Sequence, residues 1–404
     1  MNNPIRVAMI IQRYHPHVGG AEKQLASVIP LLKREGCEVH VLTRRFDQLP
    51  RFEKINDVPV HRLPAFGPKA VASAMFTFSA LPLLQKISPD IIHAHELLSP
   101  TTTGLFAKRL FRFPVVAKVL RGGILGDITK LERRKFGYKR IDRLVRNVDT
   151  FITISSEIDS ELREVGIPND RRCFIPNGVD TIRYSPQEES KKELRQSLNL
   201  PNVPTVLFAG RLAPEKRLDQ LLDIWPSIRE SYPEANLILL GTGEDEERLK
   251  RMAPAEVQFL GNVKDVVPYL RAADIFALPS DTEGLSNALL EAMSCGLAVI
   301  ATSVGGARDL VDHKETGWLI PPDSPGLLKA GLMELLKDSE LRSSLGKYAR
   351  ERVIQKYSLP LVAHNLRLLY DRVLGSDMGQ PVEHRPVTIP STQLPSVELP
   401  SPRQ

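Results

Sequence analysis

Short apolar runs alternate with longer segments of helical period along most of the chain. Runs at residues 5–11, 38–43, 58–63, 90–95, 114–120, 149–155 and 172–176 form a first series. Those at 204–210, 236–241, 256–261, 274–279, 297–302 and 317–320 form a second. Between them lie patterns such as Leu218, Leu221, Leu222, Trp225 and Ile228, whose spacing puts them on one face of a helix. Strands that are almost continuously apolar and alternate with helices predict parallel sheets covered on both faces. Two series in succession therefore predict an α/β chain of two doubly wound, Rossmann-like domains. Pro30 falls inside the first helical segment and predicts a kink there.

The pattern is interrupted between residues 177 and 204, where Pro186, a charged run and Pro201 to Pro204 intervene, so the first domain is read as 1–185 and the second as starting at 186. From 375 to 404 six prolines sit among Ser, Thr, Gln and Glu, a composition that buries too little apolar surface to order itself; this tail is read as disordered. The longest uncharged stretch, residues 70–85, is shorter than the ~20 apolar residues of a membrane span. No export signal is legible at the start, and the reading is a cytoplasmic protein.

The 404 residues are 42% hydrophobic and 25% charged, with a mean hydropathy of −0.16, a balance suited to packed cores rather than to disorder. Charge is unevenly spread. Residues 1–190 carry 29 Lys+Arg against 20 Asp+Glu, whereas the remainder carries 25 against 28. A basic first half and a mildly acidic second half imply different partners for the two domains and count against a nucleic-acid protein along the whole chain. Residues 130–146 hold eight Lys or Arg and two acids, a pattern suited to a solvated helix or to an anionic membrane surface or phosphorylated acceptor. Cys37, Cys173 and Cys295 stand far apart, without metal or disulfide spacing, and read as reduced side chains.

Doubly wound sheets bind ligands in the loops beyond their strands, so those loops carry the candidate chemistry. The first strand leads to Gly19-Gly20, where the backbone can approach a ligand and the helix start offers N–H groups to an anion. The first strand of the second series leads to Gly210-Arg211, with Lys216 five residues on: a planar fork and a point charge for phosphate, or an ordinary basic loop. A third segment runs Glu283-Gly284-Leu285-Ser286 and continues to Glu291. A helix is read over residues 285–295, closed by Gly296, with the amides of Leu285 and Ser286 facing any phosphate. Glu283 precedes this helix; Glu291 lies in its body, where a carboxylate among apolar neighbours needs a partner. His93 and His95 are read as facing opposite surfaces of their strand, and no metal site is expected.

Together these segments resemble the family 4 glycosyltransferases of the GT-B fold, over nearly the whole chain from Arg6 to Leu374. The carriers are Glu283 and Glu291, Gly305-Gly306 downstream, Gly210-Arg211 with Lys216, and Ile175-Pro176-Asn177-Gly178-Val179-Asp180 at the close of the first domain. The resemblance implies two domains facing across a cleft, a nucleotide-diphosphate sugar as donor, a carbohydrate or lipid-linked acceptor, retention of configuration and no metal cofactor. It further implies that Arg211 and Lys216 hold the diphosphate, Glu291 the ribose and Glu283 the transferred sugar, while Gly20 borders donor and acceptor. The second domain would end at 344, and helices at 345–374 would cross back onto the first. Two departures stand out: Arg121 occupies the loop where many relatives place a histidine, and the Gly-Gly-x-x-Glu pattern ends in Asp309. Two enzyme-fold alternatives remain, a nucleotide-sugar epimerase and a catalytically silent partner subunit. A nucleic-acid module is disfavoured because the basic runs lack interleaved aromatics.

Overall fold

A computed structural model of the protein describes residues 4–17, 19–46, 48–187 and 190–375. The proline-rich tail, apart from Gly375, lies outside the described residues. The first series of runs forms a sheet of eight strands: β1 (Ile5–Ile10), β2 (Cys37–Arg44), β3 (Phe52–Ile55), β4 (Val58–Leu63), β5 (Ile91–His95), β6 (Val115–Lys118), β7 (Thr150–Thr153) and β8 (Arg172–Phe174). Their spatial order is β3-β4-β2-β1-β5-β6-β7-β8. The second series forms β9 (Thr205–Ala209), β10 (Asn236–Leu240), β11 (Gln258–Gly261), β12 (Ile275–Leu278), β13 (Ala298–Thr302) and β14 (Trp318–Ile320), ordered β11-β10-β9-β12-β13-β14. All pairings are parallel except β3 with β4. Winding reverses at β1/β5 and at β9/β12, which places a ligand crevice at the same point of each sheet.

The central strands read as continuous apolar runs because both faces are covered. Val7, Met9 and Ile11 pack on one side of β1, and Ala8 and Ile10 on the other. β3 escaped the pattern because its Phe-Glu-Lys-Ile is half polar and half exposed at the sheet edge. The Gly20–Arg34 helix contains Pro30 as part of one continuous element. Pro30 and Ala26, whose carbonyl loses its usual donor, are both exposed, so that carbonyl is not buried without a partner. The Lys69–Ile87 helix is, by length and composition, long and apolar enough to cross a membrane. Its Phe76, Ala80, Leu81, Leu84 and Ile87 are nevertheless buried in the first unit's core.

The chain is already in contact with the second unit at Tyr184, whose carbonyl accepts from Ser294 Oγ at 2.6 Å, next to the expected boundary at 185. The Ser339–Tyr357 helix packs on the Asn287–Ser294 helix and on β13, so it stays with the second unit. The return starts at Leu359: the Leu359–Val373 helix lies along the Gly20–Arg34 helix and buries Leu359, Val362, Ala363, Leu366, Leu369 and Tyr370. A cut at 345 would divide one helix, since Leu345 and Ala349 share an apolar face with Val353 and Tyr357. Outward and return crossings run side by side. Val179 N–H donates to Tyr357 O at 2.9 Å, and Leu359 N–H to Val179 O at 3.0 Å.

Candidate active site

The helix expected at 285–295 starts later, at Asn287–Ser294, because Ser286 is its N-cap: its hydroxyl accepts from Leu289 N–H at 3.3 Å. The amides of Leu285 and Ser286 therefore precede the helix instead of opening it. The first-turn donors left over by the cap are those of Asn287 and Ala288. Glu283 stands in the loop before this helix and Glu291 one turn inside it, as the spacing implied. Neither carboxylate is free. Glu283 Oε1 accepts from Lys216 Nζ at 2.5 Å and from Ser280 Oγ at 2.8 Å. Glu291 Oε1 accepts from Lys23 Nζ at 2.8 Å, a residue of the first unit.

Lys216 reaches Glu283 because two loops are tied together. Arg217 forks onto both oxygens of Asp281 at 3.1 Å and reaches Asp323, while Asp281 N–H donates to Glu215 O at 2.9 Å. Arg211 is half exposed, pairing with Glu244 at 3.0 Å and with Glu215. Its own loop is locked under the loop after β10: Gly210 N–H donates to Leu240 O and Leu212 N–H to Thr242 O, both at 3.0 Å. A Cβ at Gly241, where φ is +121°, would run into the Gly210 carbonyl, so the close fit needs glycine.

The two units touch along this edge. A side chain on Gly284 would collide with the Leu120 carbonyl and come within 3.3 Å of Ile154, so the Glu283 loop can lie against the Arg121 loop only with glycine there. Asn287 Nδ2 donates to Gly20 O at 2.9 Å. Asn177 donates to Leu285 O at 3.3 Å and to Asn287 Oδ1 at 3.1 Å, and accepts from Lys118 Nζ at 3.1 Å. Gly20, Gly284, Leu285, Glu291 and the Lys216–Glu283 pair thus converge on one cleft. Arg121 is exposed at its rim.

The Arg121 loop is held from below by acids that sequence reasoning missed. Asp127 is buried and accepts, at 3.4 Å, from the amides of Leu97 and Leu120; Glu161 accepts from Gly123 N–H. Burial, with the charge of Glu96 beside it, pushes the Asp127 carboxyl up to about 7. A raised acid binds its proton more tightly folded than unfolded. This carboxyl's contribution to stability is therefore greatest at acid pH and declines as pH rises from the unfolded value near 4 through about 7. Asp127→Asn should abolish that decline and melt higher than the parent at pH 8; unchanged pH dependence in thermal melts would refute the assignment.

Lys23, Asn177 and Asn287 were also missed. Lys23 had a legible signal, since it lies one turn beyond Gly20 on the same helix face. Asn177 lies in the 175–180 motif and Asn287 directly after Ser286, but neither was singled out, because their partners are distant in sequence. His93 and His95 share one face of β5, as residues i and i+2 of a strand must; their rings stack with centroids 4.3 Å apart. His93 bonds Tyr370 OH at 2.7 Å, and burial drives its imidazole down to about 3, so the pair is a neutral element of the core. Asp309 bonds Ser156 N–H at 2.8 Å across the units, and its shorter side chain serves that contact. Among the described residues no three His, Cys, Asp or Glu side chains gather as a metal set.

Two doubly wound units thus meet at the loops that bear Gly20, Lys216, Glu283 and Glu291. The description "Glycosyltransferase Family 4" matches residues 18–183, and "Glycosyl transferases group 1" matches 190–352. A GDP-mannose-dependent alpha-mannosyltransferase of Mycobacterium tuberculosis is 31% identical over 78% of this chain and 84% of its own. From the same species, a GDP-mannose-dependent alpha-(1-6)-phosphatidylinositol monomannoside mannosyltransferase is 33% identical over 59% of this chain and 65% of its own. In fold, sucrose-phosphate synthase from Thermosynechococcus elongatus superposes with a TM-score of 0.80 over 92% of this chain and 100% of its own, at 23% identity. The chain belongs to the family 4 glycosyltransferases and has their GT-B fold.

Proposed function

We propose that the enzyme transfers a hexose from a nucleotide-diphosphate sugar to an acceptor hydroxyl with retention, in the synthesis of a glycolipid or polysaccharide. The observation that carries this is the Lys216–Glu283 pair at 2.5 Å, set before a helix that bears Glu291. A diphosphate entering there finds Lys216, Arg211 and the first-turn amides of Asn287 and Ala288. Glu283 is freed to accept from the hydroxyls of the transferred sugar, and Glu291 from those of the ribose. Gly20, Gly210 and Gly284 lie on the loops that border the donor. Arg121, on the first unit's rim, faces the acceptor side.

In the reaction the bond from the anomeric carbon to the diphosphate breaks, and the acceptor oxygen attacks from the same face. The acceptor's proton passes to the departing phosphate oxygen, so configuration is retained without a covalent enzyme intermediate. Lys216 and Arg211 stabilise the charge that builds on the leaving group. We read this set of cations as sufficient without a metal, and no nucleic acid as a partner.

The names of the relatives favour GDP-mannose as donor and a lipid-linked acceptor. Presenting the enzyme with UDP-, GDP- and ADP-sugars and scoring released nucleotide tests the reading without an acceptor. Slow release from one donor is expected. Release from none would leave a silent partner subunit. We place the enzyme in the cytoplasm, at the face of an anionic membrane. Phe136 and Tyr138 are 55% and 68% exposed amid the basic residues 130–146, and Lys135 and Lys139 lie 5.5 Å from the Phe136 ring. Flotation with phosphatidylglycerol vesicles but not with phosphatidylcholine alone is the expected result; no flotation with either sinks the membrane contact.

A further inference from the structure

Two helix starts face one another across the cleft in matched register. Gly20 and Lys23, one turn apart on the Gly20–Arg34 helix, meet Asn287 and Glu291, one turn apart on the Asn287–Ser294 helix. The turn that carries Lys23 is fixed at its other side: the Gln24 side chain donates to Gly178 O at 2.6 Å and accepts from Gly178 N–H at 3.0 Å, at the point where the chain leaves the first unit. Glu291 is 10% exposed and Lys23 42%, so the acid is the buried partner and the ammonium reaches it from solvent. Tyr184 walls the pair, its ring 5.9 Å from the Lys23 ammonium. Burial pulls the Lys23 ammonium down, but Glu291 more than offsets it, and Lys23 stays charged.

A nearly buried carboxylate holds whichever donor satisfies it best. In this structure that donor is Lys23. Once the ribose hydroxyls of a donor take the same carboxylate, Lys23 is left as an unpaired cation beside Gly20, and the one strong anion arriving with the ribose is the diphosphate. We propose that Lys23 exchanges Glu291 for the donor's diphosphate, so that the first unit reads the donor's charge although every other proposed donor ligand except Gly20 lies on the second. This rests on the donor reading above. It makes Lys23 a donor-specificity residue: it opposes binding of an uncharged nucleoside, which offers only the ribose, and favours a nucleoside diphosphate, which repays the lost ion pair.

The test compares uridine with UDP, guanosine with GDP and adenosine with ADP by titration calorimetry on the full chain, in the wild type, Lys23→Met and Lys23→Arg. Methionine keeps the apolar stem and removes the charge. For the base that the wild type prefers, Lys23→Met should bind the nucleoside as well or better, and the diphosphate about 10-fold or more weakly, the worth of a charge-assisted bond. Lys23→Arg should restore the preference for the diphosphate. A preference unchanged in Lys23→Met, or nucleoside and diphosphate weakened alike, overturns the exchange and leaves Lys23 a structural contact. A wild type that binds none of the three diphosphates removes the donor reading itself, and this inference with it.

Discussion

Glu283→Gln should lower turnover about 100-fold while nucleoside diphosphate affinity holds or rises. Its carboxylate touches Lys216 and Ser280 and, on the proposed reading, faces the transferred sugar, whose positive charge develops only in the transition state. Amidation removes that negative charge and loosens Lys216, which is then more available to the diphosphate. Glu291→Gln should behave differently. It weakens the ribose contact, so donor and free diphosphate lose affinity together, about 10-fold, with a smaller change in kcat. Calorimetry with the diphosphate beside steady-state rates with the sugar donor separates the two. Equal loss of affinity and equal turnover in both variants would overturn the division of labour.

Ending the chain after Ser358 should prevent folding to a soluble enzyme. The lost helix covers the Gly20–Arg34 helix with Leu359, Val362, Leu366, Leu369 and Tyr370, all nearly inaccessible to water. At roughly 1.5–3 kcal/mol for each buried large side chain, the loss is on the order of 10 kcal/mol, comparable with the whole stability of a typical domain. It also strips His93 of its Tyr370 partner, leaving another buried polar atom unsatisfied. Ending the chain after Gly375 should by contrast leave the melting temperature within a degree or two, because the core helix is kept whole. A soluble, cooperatively melting product of the shorter chain would show that the return helix is dispensable.

Much of this architecture was legible because its signals are local. Val7 to Ile11 or Leu237 to Leu240 are apolar runs that only a doubly covered strand explains, and the loops after them are where such sheets bind ligands. The spacing of the carboxylates at 283 and 291 was enough to put one before the helix and the other within it. What stayed hidden depends on contacts between segments far apart in sequence. Nothing near Lys23 points to a glutamate 268 residues away, and nothing near Asn177 points to Leu285 or Asn287. The helix start at 287 was misjudged because a serine that caps looks, in sequence, like a first helical residue. The return point was misjudged because the apolar face of the Ser339–Tyr357 helix does not say which unit it covers.

The paired crossings at Val179 and at Tyr357 to Leu359 have a topological consequence. In chain order the nucleotide-side unit is an insertion into the other, entered and left through one stitched seam. Residues 4 and 375, the outermost described, both belong to the first unit. A bead, fusion partner or surface attached through either would therefore grip that unit alone. Load applied between the two ends would bypass the inserted unit, which is held to its host at the seam and at the contacts of the Gly20, Lys23 and Ser156 segments.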